Sequence, residues 1–235
     1  MDLEKFEKFL QSVNLDAYRK KYNPIKIVEM DLPKEIQPID LLYKVYWNDR
    51  KFLDYEDFYK EYLKSYKKEI EMFRRKRLMC KKCFYLGLPA RIYRTWASLI
   101  TQIHAGYVAE SVFGAGSVEM SGELDHKGAD FRVSYKNEKL NYQVKKESES
   151  REVRRDKKSK KKLDGKFIEI KYSVPDFDKI KNPRKKNGKG FYKAYLNFKK
   201  NYLDKGELKV FKNGFVIFTP LIFKKKKKEI DSRLK

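Results

Sequence analysis

The sequence predicts an α/β fold in which helices flank a mixed central sheet and an N-terminal helical region precedes it. Apolar residues follow helical spacing through the first half of the chain. Short strand-like segments, separated by turn residues, follow the glycines Gly114 and Gly116. An apolar fraction of 41% and an aromatic fraction of 15% suffice to fill a core. This composition excludes a globally disordered chain.

Helices are predicted at three places before the glycines. One covers residues 2–22, and a second begins near Asp54, a residue type that favours the N-cap position. The third and longest runs over residues 88–113. There Ile92, Trp96, Leu99 and Ile103 share one apolar stripe. Three prolines within residues 24–38 predict an extended connector between the first two helices.

Strands are predicted mainly after the glycines. Residues 130–135 and 140–147 flank a short polar stretch and indicate a hairpin, and residues 167–172 form a third strand. Asn213-Gly214 favours a tight type I′ turn between two further strands. The remaining expectations are strands at 208–211 and 215–218, a short helix at 191–203, charged loops at 148–166 and 181–190, and a frayed lysine-rich tail at 224–235.

These elements suggest three regions: a mostly helical N-terminal region at 1–86, a core with recognition loops at 87–223, and a basic tail at 224–235. The formal net charge is 57 − 33 = +24. Residues 1–60 carry a balance of −1, so the rest of the chain carries +25. A field of this strength attracts polyanions, although a lysine-rich surface that is merely solvated would give the same count.

Several classes of protein are excluded by composition. No apolar run reaches the ~20 residues that a membrane helix needs, and the N-terminal residues lack the pattern of a signal peptide. Two cysteines make no disulfide framework, and no GxxxxGK[ST] motif is present. We therefore expect a soluble, cytoplasmic protein that binds nucleic acid. Charge alone does not distinguish a binding module from an enzyme.

The candidate site for chemistry lies on the predicted hairpin. Asp130 opens its first strand, and Gln143 and Lys145, two residues apart on the second, project from one face. A carboxylate can hold Mg²⁺, and a lysine can orient a metal-bound water and stabilise the transition state of phosphodiester hydrolysis. In a lysine-rich chain the same spacing also arises by chance, with Asp130 capping a turn and Lys145 solvated.

The sequence departs from the usual Asp…(Asp/Glu)-x-Lys nuclease pattern at two positions. Ala129 stands where proline often precedes the aspartate, and neutral Gln143 replaces the second acid. Asp125, five residues before Asp130, would restore the missing charge. Glu110 would do so equally, because it continues the apolar stripe of the long helix, where a carboxylate is costly unless paired or metal-bound. A position at a solvated helix end is the alternative interpretation of Glu110.

Other motifs favour a site less strongly. Cys80-Lys81-Lys82-Cys83 has no second cysteine pair, so two ordinary thiols are favoured over structural zinc or a redox pair. The segment from His126 to Asp130 has the wrong spacing for a phospholipase D box. His104, inside the long helix, is expected to be a core residue.

Five stretches, in order along almost the whole chain, resemble the family of TaqI-like type II restriction endonucleases. They are residues 6–26 (FEKFLQSVNLDAYRKKYNPIK), 87–107 (GLPARIYRTWASLITQIHAGY), 123–130 (ELDHKGAD), 143–148 (QVKKES) and 213–218 (NGFVIF). The most specific parts are the block from Arg91 to Tyr107 and the Asp-x4-Asp pair with the trailing QVKKE.

The resemblance implies a sheet of the PD-(D/E)XK nuclease type and Mg²⁺-dependent cleavage of double-stranded DNA at the palindrome TCGA. The family's acidic pair corresponds to Asp125 and Asp130, and its lysine to Lys145. A homodimer and a cognate DNA methyltransferase are the expected partners. There are two alternatives to this function. One is a structure-specific repair or junction nuclease, and the other is a non-catalytic basic nucleic-acid-binding module.

The residues expected to contact DNA lie in the charged loops. Arginine and lysine bind guanine O6 and N7 in the major groove, and each such contact discriminates by ~1–3 kcal/mol. The candidates for DNA binding are Arg151, Arg154, Arg155, Lys158 and Arg184. Most other basic residues nearby are expected to contact phosphates or water.

Overall fold

The computed structural model describes residues 2–25, 32–147, 163–175 and 188–233. The chain forms two compact units, Met1–Ile103 and His104–Lys235. The division into three regions at residues 86 and 223 stays a prediction.

The first unit is helical. Its helices are α1 (Asp2–Ser12), α2 (Leu15–Tyr22), α3 (Ile39–Leu42), α4 (Tyr55–Ser65), α5 (Lys67–Lys76) and most of α6 (Lys81–Phe113), with a 3₁₀ turn at Lys34–Ile36 and a π-helical turn at Tyr43–Asn48. The single N-terminal helix predicted over 2–22 is wrong, because two helices meet at Asn14. Its side chain caps α2 by accepting a hydrogen bond from the Ala17 backbone N–H at 3.1 Å. The part of the predicted connector at 26–31 lies outside the described residues.

An aromatic core stabilises this unit. Trp96, from the predicted stripe on α6, is fully buried, and its Nε1–H donates to the Tyr46 hydroxyl at 2.8 Å. That hydroxyl donates in turn to the Leu53 carbonyl at 2.5 Å. The predicted N-cap at Asp54 is confirmed, since its carboxylate accepts from the Asp57 N–H at 2.9 Å.

The second unit contains a mixed four-stranded sheet in the order β1-β2-β3-β4, which confirms the predicted α/β class. Its strands are β1 (Val118–Glu119), β2 (Phe131–Tyr135), β3 (Glu138–Glu147) and β4 (Lys166–Ser173). The first three pair antiparallel, whereas β3 and β4 run parallel. The rings of Phe131 and Tyr142 stack with their centroids 4.9 Å apart on the buried face.

The remaining elements are α7 (Gly122–His126), α8 (Gly188–Phe198) with a π-helical turn at Lys199–Leu203, β5 (Leu208–Val210), β6 (Val216–Phe218) and α9 (Pro220–Arg233). Strands β5 and β6 form a separate antiparallel pair. The frayed tail is wrong: residues 220–233 are helical, and Phe223 and Ile230 are buried. Apolar anchors at that spacing stabilise a helix despite its lysines.

A tight turn joins β5 and β6 at Asn213-Gly214 as predicted, because the Gly214 N–H donates to the Phe211 carbonyl at 2.9 Å. Its predicted type I′ geometry is wrong, since of the two residues only Gly214 has a positive φ. The two-residue turn with positive φ at both positions forms instead at Lys136 (47°) and Asn137 (61°), between β2 and β3. Among the described residues, no helix has the length and apolar character to cross a bilayer.

Candidate active site

Asp130 lies where the chain enters β2 and contacts β3 on both sides of Gln143. Its backbone N–H donates to the Tyr142 carbonyl at 2.8 Å, and its side-chain Oδ2 accepts from the Val144 N–H at 2.6 Å. The carboxylate therefore occupies a position next to the β3 backbone where a regular ladder would place a main-chain carbonyl. Asp130 is buried, with 5% of its surface exposed.

The segment before Asp130 explains this position. The Ser121 side chain caps the short helix α7 by accepting from the Leu124 N–H at 3.3 Å. Gly128 then turns the chain with φ = 92°, a conformation that side chains with a Cβ rarely adopt. The Ala129 N–H donates back to the Leu124 carbonyl at 3.0 Å. The turn directs the chain into β2 and brings Asp125, on α7, within electrostatic range of Asp130.

Burial governs the protonation of Asp130. Desolvation is the main cause that raises the pKa of its carboxyl to about 8, and the nearby Asp125 carboxylate acts in the same direction. The Val144 N–H lowers this pKa, because it stabilises the ionised form. In the described part of the chain no lysine or arginine forms an ion pair with Asp130. A buried carboxyl without a cation is a favourable place for a divalent metal ion.

Gln143 and Lys145 lie on one face of β3, and the parallel register extends this face onto β4. Gln143 is paired with Glu169, and Lys145 with Lys171. The Lys145 ammonium nitrogen lies 3.8 Å from Glu169 Oε1, and the Lys171 nitrogen lies 3.4 Å from Glu169 Oε2. The hydrogen-bonding register thus places a carboxylate beside the position where the sequence pattern lacks one.

Sequence reasoning missed Glu169. The only signal was the local spacing Glu169-x-Lys171, which repeats the spacing Gln143-x-Lys145. That repetition became informative only when the strands were found in register.

The remaining predicted residues are Glu110 and the five residues expected to bind DNA. Glu110 is half-buried near the end of α6, where its Oε1 accepts from the Gly116 N–H at 3.1 Å, so part of its acceptor capacity closes the turn after the helix. Its role as a metal ligand stays a prediction. The five residues predicted to bind DNA lie outside the described ranges: Arg151, Arg154, Arg155, Lys158 and Arg184.

The carboxylate oxygens of this site suit a hard cation such as Mg²⁺, but they are too few to complete its coordination without water or substrate oxygens. Within the described ranges, no three or more His, Cys, Asp and Glu side chains converge to hold a metal, so Asp125, Asp130 and Glu110 do not form such a group. Cys80 and Cys83 belong to no such group among the described residues either, and both are exposed free thiols. Mg²⁺ typically takes one or two carboxylates and completes its octahedron with waters and substrate phosphates. Asp130 with a neighbouring carboxylate fits that requirement.

Comparison with known proteins identifies similar sequences. Residues 3–230 match the TaqI restriction endonuclease family. The type II restriction enzyme TaqI of Thermus aquaticus is 34% identical over 226 residues, which cover 92% of this chain and 83% of that protein. The type II restriction enzyme TthHB8I of Thermus thermophilus is 31% identical over 225 residues, with the same coverage. No solved structure matches the chain.

Proposed function

Because the chain belongs to the TaqI restriction endonuclease family and is a type II site-specific deoxyribonuclease, we propose that the Asp130 centre is its active site and that Mg²⁺ is its cofactor. The observation that carries this proposal is the buried Asp130 carboxyl. Its oxygen accepts from the Val144 N–H while the Asp130 backbone N–H donates to the Tyr142 carbonyl, and in the described part of the chain no lysine or arginine forms an ion pair with it. We assign the sheet to the PD-(D/E)XK type on the same grounds.

Each side chain has a distinct role in this proposal. Asp130 binds the metal ion, and Asp125 adds negative charge beside it. A bound divalent ion supplies a water of lowered pKa and neutralises charge on the phosphate. Lys145 contributes a compact positive charge that orients the attacking water and stabilises the pentavalent transition state. Gln143 is neutral and offers an amide oxygen or N–H group to the same face.

The substrate we propose is double-stranded DNA with the palindrome TCGA. Two observations support DNA as the polyanion: the relatives are type II restriction enzymes, and residues 61–235 carry a charge balance of +25. A two-fold symmetric site favours a homodimer with one active centre for each strand. Survival of the host then requires a methyltransferase that protects the same sequence.

Cleavage of plasmid DNA tests this function. We expect purified protein with Mg²⁺ to convert a plasmid into discrete fragments whose ends map to TCGA. DNA methylated at that sequence should remain intact, and Asp130→Asn should bind the plasmid without cutting it. Cutting at other fixed sequences would refute TCGA alone. Cutting of junctions regardless of sequence would support a structure-specific nuclease, and a salt-sensitive gel shift without cleavage would support a binding module.

A further inference from the structure

We propose that Glu169 supplies the second metal-binding carboxylate of the active site. It would replace the acid of the nuclease pattern, whose position is occupied here by the neutral Gln143. This inference rests on the proposed function, since it assigns a further ligand to the same centre.

The parallel register carries the inference. Gln143 and Glu169 are paired residues on adjacent strands, so their Cα atoms lie about 5 Å apart and their side chains leave the same face of the sheet. The position where the nuclease pattern requires an acid is neutral on β3, while the neighbouring position on β4 is a glutamate. A carboxylate displaced by one strand still faces the same side of the site.

The match extends over three residues on each strand. Gln143-Val144-Lys145 lies directly beside Glu169-Ile170-Lys171, and each residue is paired with its counterpart. The middle residues, Val144 and Ile170, point away from this face and are more buried than the polar residues that flank them. The acid-x-lysine arrangement is therefore complete when the two strands are taken together: β4 contributes the acid and β3 contributes Lys145.

The contacts of Glu169 leave its carboxylate able to bind a cation. Its distances of 3.8 Å and 3.4 Å to the Lys145 and Lys171 nitrogens exceed the ~2.7–2.9 Å typical of charge-assisted hydrogen bonds. The side chain is 36% exposed. By contrast, Glu138 at the other end of β3 holds Lys166 of β4 at 2.6 Å. Glu169 is thus loosely held between two ammonium groups, whereas Glu138 is committed to a close ion pair.

A role for Glu169 as a metal ligand would also account for the two lysines beside it, Lys145 and Lys171. The two ammonium groups balance the negative charge of this face before an ion binds. A divalent ion held by the Glu169 oxygens would supply positive charge there, so Lys145 would be available to a substrate phosphate and Lys171 would stay beside Glu169.

Binding of Mn²⁺ to the full-length protein, measured by electron paramagnetic resonance without DNA, tests the inference. The relevant site is the one that wild type has and Asp130→Asn lacks. We expect Glu169→Gln to weaken Mn²⁺ binding at this site at least about 10-fold, whereas the matched control Glu138→Gln leaves it unchanged. The double variant Gln143→Glu/Glu169→Gln should recover most of the affinity, because it returns the acid to β3.

The outcomes separate this inference from the function on which it rests. If Glu169→Gln binds Mn²⁺ as wild type does and cuts DNA at the same Mg²⁺ concentration, Glu169 is a surface ion-pair residue and the inference is overturned. Failure of the double variant to recover, with an unchanged melting temperature, also overturns it. If Asp130→Asn retains wild-type Mn²⁺ binding and cleavage, the proposed active site itself is wrong.

Discussion

The Asp130 carboxylate accepts a 2.6 Å hydrogen bond from the backbone N–H of Val144 on the neighbouring strand. One contact of this kind fixes the position of the carboxyl group relative to the residues on either side of Val144, namely Gln143 and Lys145. It also offsets part of the cost of burying an acid. The fold therefore holds Asp130 in place, and burial raises the pKa of its carboxyl to about 8.

Asp130 should make the stability of the metal-free protein depend on pH. Its pKa is about 8 in the folded state, against an ordinary value of 3.8 for the unfolded chain. The stabilisation from the bound proton is complete below about pH 4 and is lost as pH rises to about 8, at about 1.4 kcal/mol for each pKa unit between the two states. In EDTA, the free energy of unfolding of wild type should therefore fall relative to Asp130→Asn over this range.

Urea unfolding of both proteins at about pH 5, 6.5 and 8 measures this difference. Asparagine stays neutral and can accept the Val144 hydrogen bond, so it serves as the permanently uncharged reference. Unfolding free energies that stay parallel across this range would show that Asp130 is not protonated in the folded protein.

Replacement of Lys145 with methionine should slow cleavage without weakening DNA binding. Methionine retains much of the length of the side chain but removes the charge that stabilises the transition state. We expect kcat to fall by about 10²–10³-fold, the usual effect of losing one electrostatic contact of this kind. Lys166→Met is the matched control, because Lys166 is an exposed, ion-paired lysine of the same sheet. Equal single-turnover rates in the two variants would remove Lys145 from the mechanism.

Substitution of Gln143 with glutamate should change the metal requirement. The new carboxylate would lie beside Glu169 on the same face and add a hard oxygen ligand. We expect the Mg²⁺ concentration for half-maximal cleavage to fall and the ratio of Mg²⁺- to Mn²⁺-supported rates to change. Gln143→Asn, which keeps the amide, provides the comparison. Profiles for both metals that coincide with those of wild type would mean that Gln143 does not contact the ion.

In the first unit, loss of one hydroxyl should be costly. Tyr46→Phe leaves the Trp96 Nε1–H and the Leu53 carbonyl without their partner in a buried region. An unsatisfied buried polar group costs about 1–3 kcal/mol, so the free energy of unfolding at neutral pH should fall by at least that amount. Tyr192, which is 50% exposed, provides the control Tyr192→Phe. A decrease no larger than in the control would show that solvent reaches these groups after the substitution.

Helical periodicity predicted the long helix α6 well, and its stripe of Ile92, Trp96, Leu99 and Ile103 is buried. Such patterns are local, and burial of one face follows from spacing alone. The predictions that failed concern ends and turns. The Asn14 side chain caps α2 and so interrupts the predicted first helix. The C-terminal residues are helical because Phe223 and Ile230 are buried in the core.

The candidate site was predicted in part. The spacing of Asp130, Gln143 and Lys145 indicated a hairpin, and β2 and β3 form one. Glu169 was not predicted, because it lies far from Gln143 along the chain and nothing local specifies that β4 pairs with β3 in parallel. The register of distant strands depends on the packing of their apolar residues, such as Ile168 opposite Tyr142.

The order of the amino acids alone determined the positive charge, the mixed α/β class and the identity of Asp130 and Lys145 as candidates, since composition and short-range spacing are properties of the chain. Only the folded structure decided that Asp130 is buried against Val144 and that Glu169 lies beside Gln143. Burial and strand register are set by contacts between segments far apart in the chain, and those contacts exist only once the sheet has formed.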